Sequence, residues 1–373
     1  MATANERLAD ESIHHAIDLS GYSNGVVRRI LALLNRTDAD LFEQLSARLD
    51  TMDPESFTVE RLESLLISVR QLNKAVYERV GLELADELRG LAGTEASYQH
   101  ELIRSVVPAQ LQVASVSAEQ VYAAAMARPF QGGLLREFSE ALGENRMQRI
   151  RESLRIGYVQ NKTVSQMVRE LRGTRARGYS DGLIEIDRRH ASSVVRTAIS
   201  HLAATVRDGV YEANSDLISA VMWRATLDTR TSSECRARDG KRYTLGDRPK
   251  PIGHLIPWCG SRGCGPGRLH WNCRSTASPV LKSFKELGGE DIESFTPAQR
   301  ASMDGGVPAD LSYSDWLKRQ SAARQDEVLG PVRGKLLRDG GIAPEGFATD
   351  KGKWLTLDQL RERNAAAFKR AGL

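Results

Sequence analysis

All four cysteines of this 373-residue chain, Cys235, Cys259, Cys264 and Cys273, stand between Trp223 and Pro279, with His254 and His270 among them. The run GDRPKPIGHLIPWCGSRGCGPGRL inside that stretch is too rich in Gly and Pro for long regular structure. A loop of this length within a compact domain is normally functional or pinned. The module must therefore be built around whatever joins its cysteines and histidines, and the rest of the chain is what carries it.

Up to about residue 215, apolar residues recur at three- and four-residue steps, as amphipathic helices require. Val27, Ile30, Leu31 and Leu34, then Leu41, Leu45 and Leu49, form one stripe, with a turn expected at 35–38. A further helix is expected to open after Thr58 and end at Gly93, and another to run over HELIRSVV up to Pro108. A second helical block is interrupted at Gly132 and Gly133; a short helix follows, ended by Gly173, and then a long one from Glu185 to Asn214. His201 reads as a core or capping histidine. His14 and His15, about 100° apart on a helix, read as a solvated face. After Asn214 the period changes to two and predicts a strand over 220–227, with further strands expected at 241–245 and 272–281. The predicted fold class is α+β: a long, mainly helical N-terminal region (1–160), a core (161–285) holding a small Cys/His-containing β-hairpin module at 223–279, and a helical C-terminal tail (286–373). In the tail, Trp316, Leu317, Val328, Leu329, Leu336 and Leu337 form amphipathic stretches, read as core packing or as a docking surface.

Charge is concentrated in the module. The whole chain has 52 basic and 48 acidic residues, a balance of +4 that implies nothing about partners. Residues 221–280 alone carry 11 Lys and Arg against 4 Asp and Glu, or +7. Such a surface suits phosphate, which makes Arg236, Arg238, Lys241, Arg242, Arg268 and Arg274 candidate nucleic-acid contacts. Asp228, Arg230, Asp239 and Gly240 stand at a strand end, where Asp and Arg fix turns.

The N-terminus lacks a secretory pattern and no apolar run reaches membrane length, so a soluble chain without a membrane anchor, made in a reducing cytoplasm, is expected. There, clustered cysteines hold a metal more often than a disulfide. Zinc takes thiolates and imidazoles in a tetrahedron, often as close pairs; His270 with Cys273 is one such pair and Cys259 with Cys264 another, and Cys235 can replace a member. Structural zinc, buried free cysteines and a disulfide all remain open on spacing alone. No general base stands beside a thiol in the sequence, and the zinc deaminase pattern is missing.

The residues Asp228, Arg230, Thr231, Cys235, Asp239, Gly240 and Lys241, then Pro257, and finally His270, Cys273 and Arg274 before a small residue and proline, resemble the core of the phage Mu F-like head morphogenesis family, the minor capsid proteins of tailed phages. The resemblance extends over about 160–373 and is strongest at 223–279. Family members carry cysteines where this chain has Ser232 and Ser275, which shifts the weight of a ligand set to Cys235, His270 and Cys273, with Cys259 or Cys264 added. The resemblance implies a non-enzymatic virion protein at the head interior or portal vertex. Its partners would be the portal protein, the major capsid or scaffolding protein, and double-stranded DNA. The alternative is a metal-dependent, nuclease-like enzyme acting on nucleic acid, with His254 and His270 at the metal.

Overall fold

The computed structural model describes residues 3–51, 58–129, 131–259, 264–283, 285–287 and 299–373. Helices come first: α1 (Ala4–Asp50), α2 (Val59–Arg104), α3 (Ala118–Ala127), α4 (Leu135–Val159), α5 (Val164–Arg172) and α6 (Glu185–Ala213). They follow the apolar spacing, but two expected breaks do not occur. α1 continues through 35–38 as a 47-residue helix. Asp38, a residue that favours turns, is buried instead and accepts from the guanidiniums of Arg146 and Arg188. α2 continues through Gly93 for 46 residues. Burial of Ala92, Ala96, Leu102 and Ile103 around and beyond that glycine outweighs the about 1 kcal/mol that Gly costs a helix.

Two histidine expectations divide. His201 is buried, and its Nε2 lies 3.2 Å from the Ala125 carbonyl, as a core histidine should. His15 is not on a solvated face: its ring stacks on Tyr98 at 3.6 Å and its Nε2 meets the buried Glu95 at 2.6 Å.

The chain divides into two compact units. One comprises 21–91 and 122–202, with a core that joins Leu41, Leu45 and Leu66 to Ile150, Leu154 and Met167. The other comprises 1–20, 92–121 and 203–373 and contains the Cys/His module. Its antiparallel sheet has the order β3-β2-β1-β4, formed by β1 (Ile218–Arg224), β2 (Arg242–Tyr243), β3 (Pro251–Ile252) and β4 (Thr276–Leu281). Pro279 has no amide to donate, and it sits opposite Val221 in β4, an edge strand where a missing donor is tolerated. Between β1 and β2 lies the single short helix α7 (Ser233–Arg238).

A hairpin of β5 (Gln299–Ser302) and β6 (Gly305–Pro308) follows, which no alternation in the sequence announced. The tail then folds as α8 (Tyr313–Lys318), α9 (Ala322–Leu329), α10 (Pro331–Arg338), α11 (Leu357–Arg363) and α12 (Ala365–Arg370). Trp316, Leu317, Leu329 and Leu336 are buried in one cluster with Leu227, and Val328 and Leu337 pack against it. The amphipathic stretches of the tail are thus core. Among the described residues no helix is long and apolar enough to cross a membrane.

Candidate metal centre

The module forms where β1 ends. Trp223, Tyr243 and Trp258 meet edge to face, at 5.2 Å for the two tryptophans and 4.9 Å for Tyr243 and Trp258, and seal its apolar side. The chain leaves β1 through a turn fixed by two aspartates. Asp228 takes a two-pronged contact from Arg274, the Arg230 amide at 3.1 Å and the Thr231 hydroxyl at 3.0 Å. Burial alone would raise its pKa, but the hydrogen bonds and charge of Arg274 outweigh this and hold the carboxyl below its ordinary range. Asp239 accepts the amides of Ala225 and Tyr313, each at 2.8 Å, and the guanidinium of Arg300. Gly240 has φ +72° and donates its amide to the Trp223 carbonyl at 2.8 Å, a left-handed turn that suits glycine. Arg230, by contrast, extends an 80% exposed side chain and only skirts Asp228 at 3.8 Å.

This turn delivers α7, whose N-cap is Ser232: its hydroxyl accepts the Cys235 amide at 3.3 Å. One helical turn in, Cys235 points into the core. From the other side, the turn before β4 brings His270 and Cys273. The Cys235 and Cys273 sulfurs lie 3.8 Å apart, and Nε2 of His270 lies 3.5 Å from the Cys235 sulfur and 2.9 Å from the Ser232 hydroxyl. Nδ1 of His270 lies 3.0 Å from the Trp271 carbonyl, to which it donates, so Nε2 is the nitrogen that faces the sulfurs. Cys235, His270 and Cys273 form a group able to hold a metal ion, with donor atoms all within 4.8 Å of one another.

Electrostatics within the group are uneven. Cys235, which donates to Cys273 and is buried, is pushed up, while Cys273 is pushed down by that hydrogen bond and by His270. The hydrogen bond to Cys273 in turn raises His270 to about 9, against the effect of its burial. The expectation that no base stands beside a thiol is corrected here: tertiary structure brings His270 from 35 residues away. Cys235 and Cys273 are nevertheless buried, at 2% and 1% exposure.

The remaining expected ligands lie elsewhere. Cys259 and Cys264 are bonded to each other as a disulfide, one of the possibilities their spacing left open, which takes both out of the expected ligand set. His254 donates from Nε2 to the Arg242 carbonyl at 2.8 Å and accepts the Ile256 amide on Nδ1 at 3.2 Å. With both nitrogens engaged by backbone it does not share a site with His270.

The expected nucleic-acid contacts separate in the same way. Arg238 is buried, donates to the carbonyls of Pro257, Trp258 and Glu234, and stacks over Trp223. Arg268 is buried on Asp208 and Thr205. Arg274 is held by Asp228, and Arg236 donates to the Val328 carbonyl and lies over Tyr313 and Trp354. Only Arg242 is exposed, and Lys241 is half-buried. Of the positive charge counted along residues 221–280, Arg236, Arg238, Arg268 and Arg274 are thus directed into the fold, whereas Arg230, Arg242, Arg248 and Lys250 are exposed. Sequence reasoning missed Arg300, 1% exposed and paired with Asp239, because no local pattern connects positions 61 apart.

These features define an α+β protein with a small Cys/His module pinned by buried arginine–aspartate pairs. Residues 148–278, from within α4 to β4, match the family model described as phage Mu protein F like protein, so that this segment is similar to that family. The match ends inside β4 and does not include the tail. No curated protein and no solved structure matches the chain.

Proposed function

We propose that the chain is a non-enzymatic minor head protein of a tailed phage that assists procapsid or portal assembly and DNA packaging or delivery. The observation that carries this reading is the phage Mu F-like match over residues 148–278. The inward use of its motif residues supports it: Asp228, Asp239, Gly240 and Arg274 bond within the module and hold its turns together. On this reading a structural zinc at Cys235, His270 and Cys273 completes the module. The partners are the portal protein and the major capsid or scaffolding protein, and the location is the head interior or portal vertex. A DNA contact by the module would use the exposed Arg230 and Arg242 with Lys241, not Arg238 or Arg268.

Mass spectrometry of purified precursor and mature heads tests the role. The chain is expected in particles at a few copies each, and heads assembled without it are expected to be defective. Its absence from both kinds of particle, with normal assembly when it is deleted, would overturn the proposal.

A further inference from the structure

From the geometry around Cys235 we infer that Ser232 supplies the fourth donor of a tetrahedral zinc site, making an S2NO set of Cys235, Cys273, His270 and the Ser232 hydroxyl. This rests on the zinc reading above and goes beyond it by assigning the position that three ligands leave open.

The separations carry the argument. Zinc binds thiolate sulfur at about 2.3 Å and imidazole nitrogen at about 2.05 Å, so tetrahedral angles place two sulfurs about 3.8 Å apart and a sulfur about 3.6 Å from the nitrogen. The corresponding distances here are 3.8 Å for Cys235 to Cys273 and 3.5 Å for Cys235 to His270. Both edges that meet at the Cys235 sulfur thus fit a zinc tetrahedron, and the third, from Cys273 to His270, is no longer than 4.8 Å. The fourth must lie near Nε2 and close to the Cys235 sulfur. Ser232 Oγ is there, 2.9 Å from Nε2. A nitrogen–oxygen edge around zinc is about 3.4 Å. The pair must therefore open by about half an ångström as the ion replaces the hydrogen bond between them.

Position and chemistry agree for each donor. Ser232 is held by capping α7, since its oxygen accepts the Cys235 amide. A hydroxyl oxygen has two lone pairs, so one remains for an ion. His270 is oriented by its Nδ1 donation to the Trp271 carbonyl, the outer contact that fixes a metal-binding imidazole. Charge also balances. Two thiolates, a neutral imidazole and a neutral hydroxyl around a divalent ion leave the buried site at zero net charge, and binding releases the protons those ligands carried.

Full-length protein purified with zinc and assayed for metal is expected to hold one zinc per chain. In competition with a chromogenic chelator, Ser232→Ala should bind zinc about 10–100-fold more weakly, and Ser232→Thr, which keeps the hydroxyl, should remain close to the parent. Ser232→Cys should bind more tightly and, loaded with cobalt, add a third thiolate's charge-transfer intensity. Should Ser232→Ala not fold, the cobalt spectrum of Ser232→Cys decides. An unchanged affinity in Ser232→Ala, or an unchanged cobalt spectrum in Ser232→Cys, would overturn the assignment of Ser232 while leaving zinc in place. A parent protein that binds no zinc, or that carries a Cys235–Cys273 disulfide, would remove the zinc reading itself.

Discussion

The sulfurs of Cys235 and Cys273 lie 3.8 Å apart although 38 positions separate the two residues. The first is carried on a helix that follows β1 and the second on the turn that leads into β4, and these two strands pair along six positions from Ile218 with Leu281 to Arg224 with Thr276. The register of one strand pair therefore sets the distance between two thiols. An ion at that point would lock the strand pair, α7 and the His270 turn together.

Metal removal is accordingly expected to loosen the module. A strong chelator should lower the thermal midpoint of the zinc-loaded protein, because a structural site couples metal affinity to folding. Cys273→Ser should unfold at the chelated protein's midpoint and show no further response. Scanning fluorimetry with and without chelator measures both; a midpoint indifferent to chelator in the loaded parent would contradict the expectation.

Arg300 and Asp239 form a pair whose side chains are 1% and 2% exposed. Arg300→Met leaves a buried carboxylate with its charge unopposed and should cost roughly 3–5 kcal/mol in urea unfolding. Adding Asp239→Leu should not recover the loss, since Asp239 also accepts the amides of Ala225 and Tyr313. Recovery in the double variant would show that the pair, and not the turn it braces, carries the stability.

The basic residues should divide by burial. Lys241→Ala with Arg242→Ala should leave stability within about 0.5 kcal/mol of the parent. If the module contacts DNA as proposed, the same variant should lower the salt dependence of binding by nearly two in logarithmic slope. Arg238→Ala should destabilise the fold, because three carbonyls lose their donor. Circular dichroism and DNA titrations at several salt concentrations separate the two classes.

Asp208 links stability to pH. Its burial would raise the pKa, but Arg268 and Arg207 beside it outweigh that and hold the carboxyl below the ordinary range. A depressed folded pKa contributes stability that is fully present above the unfolded value of about 3.9 and is lost as pH falls through the folded one. Acid unfolding of Asp208→Asn should thus show a weaker pH dependence than the parent below about pH 4. Identical slopes would rule out this link.

The Cys259–Cys264 bond closes a short loop with a sequence separation of 5. Chain-entropy arguments give it about 2 kcal/mol. Thiol titration of the denatured, unreduced, metal-free chain should find two free thiols, those of Cys235 and Cys273, and Cys259→Ala with Cys264→Ala should cost no more than this amount. Four free thiols before reduction would exclude the bond.

Much of the architecture could be read from the chain because it rests on local periodicity. The three- and four-residue steps of the first 215 residues, the change to period two after Asn214, Pro108 beyond the end of α2 and Gly173 at the end of α5 are short-range signals, and the elements follow them. Where local signals failed, long-range partners had overridden them. Asp38 is kept within a helix by Arg146 and Arg188, and Gly93 by burial on both sides of it.

The composition of the module by itself singled out the four cysteines with His254 and His270, and the resemblance to phage Mu F-like proteins shifted the weight to Cys235, His270 and Cys273. Tertiary structure alone decided how they are used. It paired Cys259 with Cys264, engaged His254 with backbone, buried Arg238 and Arg268, and set Ser232 beside His270. The physical reason is that sequence spacing limits which residues are close along the chain, whereas ligation and ion pairing depend on distances of 2–4 Å, which strand register and helix placement set across tens of residues.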